Sequence, residues 1–171
     1  MLKTIILFAG RADYQHALSL LLREHNPGLS IWTDVSAEDL DLLEPEVLQH
    51  SRLVCFGDTL PLAEHVVEQL GHGAYQFYAA PLQHPGLPPR TAAEAADDAP
   101  CVSVIAQAIG RHPAFDHIIG IETFTLPPSD EAAKRDRIAF TRLAHMFWRM
   151  SHALACEPTL ADAGHAPSRW C

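Results

Sequence analysis

Gln76 and Tyr78 lie in a strand-like run, Ala74 to Tyr78, and bring an amide and a phenol to it. A phenol with its ordinary pKa of about 10 donates a hydrogen bond at pH 7 and does not act as a base. A phenol donor could stabilise an oxyanion. Two histidines could do acid–base chemistry: His84, in a proline-rich loop with Pro81, Pro85, Pro88 and Pro89, and His117, which follows Asp116. The eleven histidines also invite a metal reading. None stands in HxH or HExxH spacing, and His145 and His152 have no cysteine partner nearby, so no metal is expected. His72 sits between Gly71 and Gly73 and reads as a turn residue. The Gly-His-Gly triplet precedes a strand and is no dinucleotide fingerprint. Neither GxSxG nor GxxxxGK[ST] occurs, which removes nucleophile-elbow and P-loop chemistry.

The elements that would position these groups alternate in type. Apolar runs predict strands near 3–9, 29–33, 52–56 and 74–78. Between them, residues 13–24 read as an amphipathic helix stopped by Asn26-Pro27-Gly28. Ser36 is placed to cap a second helix, and Pro61 to open a third that runs to about Leu70. Strand–helix alternation at this spacing predicts an α/β fold with an open, mainly parallel, Rossmann-like sheet and helices on both faces. After residue 79 the pattern changes. A short helix is expected over 91–96, then two antiparallel strands over 102–109 and 117–126. Pro127-Pro128-Ser129-Asp130 caps a long helix in which Phe140, Leu143, Ala144, Phe147, Met150 and Leu154 form one apolar stripe. The domain is expected to span 1–156, followed by an extended tail over 157–171.

The 171 residues suffice for one domain with a full core. A formal net charge of −9 argues against nucleic acid as a partner. The one basic cluster, Lys134, Arg135, Arg137, Arg142 and Arg149, reads as a solvated helix face. No apolar run approaches membrane-spanning length and no signal peptide is evident, so a cytoplasmic protein is expected. The scattered cysteines read as three core thiols, Cys55, Cys101 and Cys156, and a tail thiol, Cys171.

The stretch from Val54 to Pro89 resembles the active-site half of the folate-dependent formyltransferases. Phe56-Gly57 matches the family's strand-ending turn, and Leu60-Pro61 its helix start. Pro81 and Pro85-Gly86 match the loop that follows its catalytic strand. The opening Ile5 to Gly10, and Phe115-Asp116 with Ile118 to Phe124, extend the resemblance to about residues 1–155. It implies the formyltransferase fold, 10-formyltetrahydrofolate as donor and a small-molecule amine as acceptor. Phe56, Gly57, Leu60 and Pro61 would then line the pocket for the folate ring. The family's catalytic Asn, His and Asp would correspond to Gln76, Tyr78 and Asp116, converging at the carboxyl ends of the strands. Gln keeps the amide but lengthens it by about a bond, and misplacement on the order of 1 Å can cost about 100-fold in rate. Tyr removes the imidazole. A further family His, on the strand over 102–109, is replaced by Ile105.

Three readings follow. The chain could be an active formyltransferase with an altered triad. It could be a non-catalytic relative that binds a folate-like ligand or serves as an interaction module. Or it could run different chemistry on the same scaffold, with Tyr78 as donor and Asp116 or His84 as base.

Overall fold

The computed structural model describes residues 1–57, 62–81, 101–110, 117–126 and 132–160. Six strands form one sheet in the order β2-β1-β3-β4-β5-β6. They are β1 (Thr4–Ala9), β2 (Ser30–Trp32), β3 (Ser51–Phe56), β4 (Ala74–Pro81), β5 (Cys101–Ile109) and β6 (His117–Thr125). The first four strands pair in parallel. β5 lies antiparallel to β4, and β6 antiparallel to β5. The mainly parallel open sheet expected from the strand–helix alternation is therefore present, with the antiparallel pair at one side.

Helices cover both faces. On one face α1 (Ala12–His25) and α5 (Ala132–Cys156) bury a core that includes Leu7, Val54, Phe56, Phe77, Val104, Leu143 and Phe147. The α5 stripe read from the sequence is the buried side of that helix, extended by Ala139 and Met146. Phe147 is the hub, with ring centroids 5.5 Å from Phe56 and 5.1 Å from Phe77 in edge-to-face geometry, the arrangement that ring quadrupoles favour. On the other face α2 (Ala37–Asp41), α3 (Pro45–Gln49) and α4 (Glu64–Gln69) bury Ile6, Leu53, Cys55, Val66 and Ala74.

Ser36 caps α2 as expected: Asp39 N–H donates to the Ser36 side chain, and the Asp39 carboxylate accepts from Ser36 N–H in return. The third helix differs. It starts at Glu64, with Ala63 as its flanking residue, not at Pro61. A five-residue helix at Pro45 was not anticipated, because one turn is too short to display a 3.6-residue period. β4 runs to Pro81, three residues beyond the apolar run, since β5 supplies partners as far as Val102. Cys55 is buried, but Cys156 is exposed at the last turn of α5, so it is not a core thiol. The short helix expected over 91–96 and the cap over 127–130 lie outside the described residues.

The amino-terminal head of β3 carries the least expected side chain. Arg52 is fully buried. Its guanidinium donates to the carbonyls of His72, Ala153, Leu154, Glu157 and Pro158. The centre of the group lies 5.3 Å from the Tyr75 ring centroid. Burial pushes its pKa down from the ordinary value, opposed by Tyr75 and Glu157. The last carbonyls of a helix are its negative pole and lack intrahelical donors, so a guanidinium there satisfies both deficits. His72 Nδ1 donates to Pro158 O at 3.0 Å, and Leu160 N–H donates to the Tyr75 hydroxyl at 3.1 Å. His72 is thus a turn residue, as read, but a buried one. Residues 157–160 are tied to the body by these bonds, and Leu160 joins the core.

The turn after α4 presses on the end of α3. A Cβ added at Gly71 would stand 2.0 Å from the backbone oxygen of Gln49. Gly71→Ala is therefore expected to destabilise the fold by about 1–3 kcal/mol, because backbone and not a flexible side chain must yield. A urea midpoint unchanged from wild type would contradict this contact.

Candidate functional site

The carboxyl ends of β1, β3 and β4 are where open α/β sheets gather their ligands. β3 ends at Phe56-Gly57. Gly57 takes φ +84°, a conformation costly for any residue with a Cβ. Its N–H donates to Phe77 O at 2.8 Å, closing the β3–β4 ladder. β4 runs on from Tyr78 to Pro81 paired with β5, while the last β3–β4 pair among the described residues is Phe56 with Phe77. Tyr78 therefore lies one residue beyond that pair, at the sheet's carboxyl end.

Strand alternation decides which side chains each face of this end carries. Tyr75 and Phe77 belong to the α1/α5 core. Ala74 belongs to the opposite core. Gln76 and Tyr78 share the face of Ala74 and are half-buried. Gln76 lies directly across from Gln107, and Tyr78 directly across from Ile105. The Tyr78 hydroxyl donates to Gln107 Oε1 at 2.7 Å, a diagonal bond between strands. Beyond β5 the same two rows continue into Ile118 and Ile121 of β6, both partly exposed.

The structure thus brings Gln76 and Tyr78 together, and adds Gln107, which sequence reasoning passed over. The signal was available: Gln107 interrupts an apolar strand at the parity of Ile105 and Ile109. Gln76, Gln107 and Tyr78 put two amides and one phenol on this face, with the Ser103–Thr123 hydroxyl pair further along it. The Tyr78 hydroxyl is a hydrogen-bond donor to Gln107 in this arrangement.

Phe56 ends β3 near these side chains, but its ring lies on the other face. The residue is 2% exposed, and its ring packs against Phe140 and Phe147 on the α5 side. Any contact of Phe56-Gly57 with a ligand must therefore come from backbone. Leu60, Pro61, His84 and Asp116 lie outside the described residues. His117, next to Asp116, opens β6 across from Ala108, which in turn faces Tyr75. That is the head of β4, roughly three residues, or about 10 Å, down the sheet from Tyr78. Among the described residues no group of three His, Cys, Asp or Glu side chains could hold a metal ion, and no helix is long and apolar enough to cross a membrane.

Clefts among the described residues lie elsewhere. One of about 390 Å³, lined by Lys3, Trp32, Glu44 and His50 among others, sits at the amino-terminal end of the sheet. One of about 540 Å³ lies between β6 and α5, on the face opposite Gln76.

No family sequence model matches the chain, and no curated protein matches it in sequence. Solved structures do match in shape. Glycinamide ribonucleotide transformylase 1 from Geobacillus kaustophilus superposes with a TM-score of 0.64 at 11% identity, over 91% of this chain and 100% of that one. A sugar N-formyltransferase from Shewanella sp. gives 0.63 at 9% identity, over 91% and 70%. Formyltetrahydrofolate deformylase from Burkholderia mallei gives 0.61 at 11% identity, over 91% and 66%. The strand order, the antiparallel excursion at β5 and these superpositions agree: the chain has the formyltransferase fold.

Proposed function

We propose that this chain is a formyltransferase-like protein that holds a reduced folate or folate-like ligand at the carboxyl ends of β3 and β4 without transferring a formyl group at an enzyme's rate. The observation that carries the reading is the Tyr78–Gln107 hydrogen bond. At the position where the resemblance implies a general base stands a phenol that donates its hydrogen bond to an amide oxygen. Formyl transfer requires a group that takes a proton from the attacking amine as the carbonyl oxygen gains charge. A phenol bonded in this way is a poor acceptor of that proton at neutral pH. The positive-φ Gly57 and the extended β4 are features of shape, and they would serve a ligand's binding with or without chemistry.

Calorimetric titration with 5-formyltetrahydrofolate, paired with an assay for tetrahydrofolate released from 10-formyltetrahydrofolate, tests both halves. The expected result is saturable binding with a Kd of about 1–100 μM and no detectable turnover, with or without small amines. Turnover of about 1 s⁻¹ or more, the ordinary enzymatic range, would sink the non-catalytic half. It would require Tyr78, Asp116 or His84 to move the proton. Absence of binding at about 1 mM ligand would sink the folate half.

A further inference from the structure

The cleft of about 540 Å³ over β6 is lined by Glu122, Arg142, Ala144, His145, Trp148 and Arg149. Its volume is within the ordinary range for small-molecule sites. Three observations give it a chemistry. Trp148 is 63% exposed, an unusual setting for an indole. Arg142 and Arg149, one helical heptad apart, converge on a single carboxylate: Arg142 Nη1 to Glu122 Oε1 at 3.1 Å, and Arg149 Nη2 to Glu122 Oε2 at 2.7 Å. Arg142 also lies over the Phe124 ring, 5.6 Å from its centroid.

The arginines are thereby held in place before any ligand arrives, yet not neutralised. Two guanidiniums and one carboxylate leave one positive charge at the cleft of a chain whose formal net charge is −9. Each guanidinium has five N–H donors in a fixed fork, and Glu122 engages one nitrogen of each. We propose that this cleft binds a small anion that carries a flat aromatic ring, of the nucleoside monophosphate kind. The ring stacks on Trp148, and the anionic group takes the outer N–H donors of Arg142 and Arg149. Each half is weak alone: stacking is insensitive to charge, and an exposed arginine pair is screened by salt. Their juxtaposition selects a ligand with both. The site lies on the opposite side of the sheet from Tyr78 and is independent of the folate reading.

Calorimetric titration at low ionic strength, with AMP, adenosine and inorganic phosphate as probes, tests it. For the wild-type chain the expected Kd for AMP is below about 1 mM, with adenosine and phosphate each at least about tenfold weaker. Trp148→Ala and the double change Arg142→Gln/Arg149→Gln should each weaken AMP by about tenfold or more. Glu122→Gln should tighten it by several-fold, since it removes the competing carboxylate while keeping the shape. Thermal melts check that each variant is folded. If the double arginine variant does not fold, Trp148→Ala and Glu122→Gln still decide, because they move the affinity in opposite directions. AMP binding that ignores all of these changes, adenosine binding as tight as AMP, or no binding at about 10 mM would overturn the proposal.

Discussion

The double substitution Gln76→Asn with Tyr78→His is expected to raise release of tetrahydrofolate from 10-formyltetrahydrofolate by about 100-fold or more, the usual contribution of a placed general acid–base group. The change returns a shorter amide and an imidazole to positions that share one face of β4. It also removes the hydrogen bond from the Tyr78 hydroxyl to Gln107. Each single change should achieve little, because residues that act as a unit do not contribute additively. Both positions are half-buried, so the stability loss should stay within about 1 kcal/mol. A double variant that folds, binds 5-formyltetrahydrofolate and stays inert would place the defect elsewhere, with Ile105, directly across from position 78, the next residue to change. If the wild-type chain already matches the variant, position 78 is not a missing base.

Arg52→Met should lower stability by about 3–5 kcal/mol, as expected when a buried charge leaves its partners unpaired. For a chain of this size that is a fall in Tm of roughly 6–20 °C. The methionine fills much of the volume but offers no donor to the five carbonyls that Arg52 now satisfies. Arg52→Lys should recover part of the loss at most. An ammonium keeps the charge but cannot reach carbonyls on both sides of the clamp as a planar fork does. Arg137→Met, on the exposed side of α5, is the control and should change stability by less than about 0.5 kcal/mol. A calorimetric melt of Arg52→Met within about 1 kcal/mol of wild type would mean that water replaces the guanidinium without cost.

Much of this architecture is legible in the sequence because its signals are local. The runs at 3–9 and 52–56 are long, apolar and closed by glycine, and they appear as β1 and β3 nearly residue for residue. The α5 stripe is periodic enough to identify its buried face. What fails to show depends on distant partners. β4 continues through Ala79, Ala80 and Pro81 because β5 pairs with them, and nothing in those three residues announces a strand. Arg52 reads as a strand boundary, since a charged residue inside a sheet is rare and four of its five acceptors lie about a hundred positions away. Gln107 was hidden by the opposite bias: one amide in an apolar strand looks like tolerance, until Tyr78 is found bonded to it. The site was thus half readable. Gln76 and Tyr78 were marked by resemblance, whereas the bond that fixes their chemistry is a property of strand register alone.

The Arg52 clamp also orders events in time. Its acceptors on α5 and beyond lie 101 to 106 residues further along the chain. At roughly 5–20 residues per second, a ribosome needs about 5–20 s to produce them after Arg52 itself. During that interval the head of β3 carries a guanidinium that cannot be buried without great cost. Of its five acceptors, the His72 carbonyl is the one made soon after Arg52 itself. The clamp is therefore a late contact: it closes only when the last turn of α5 and the residues after it arrive to cover the head of β3.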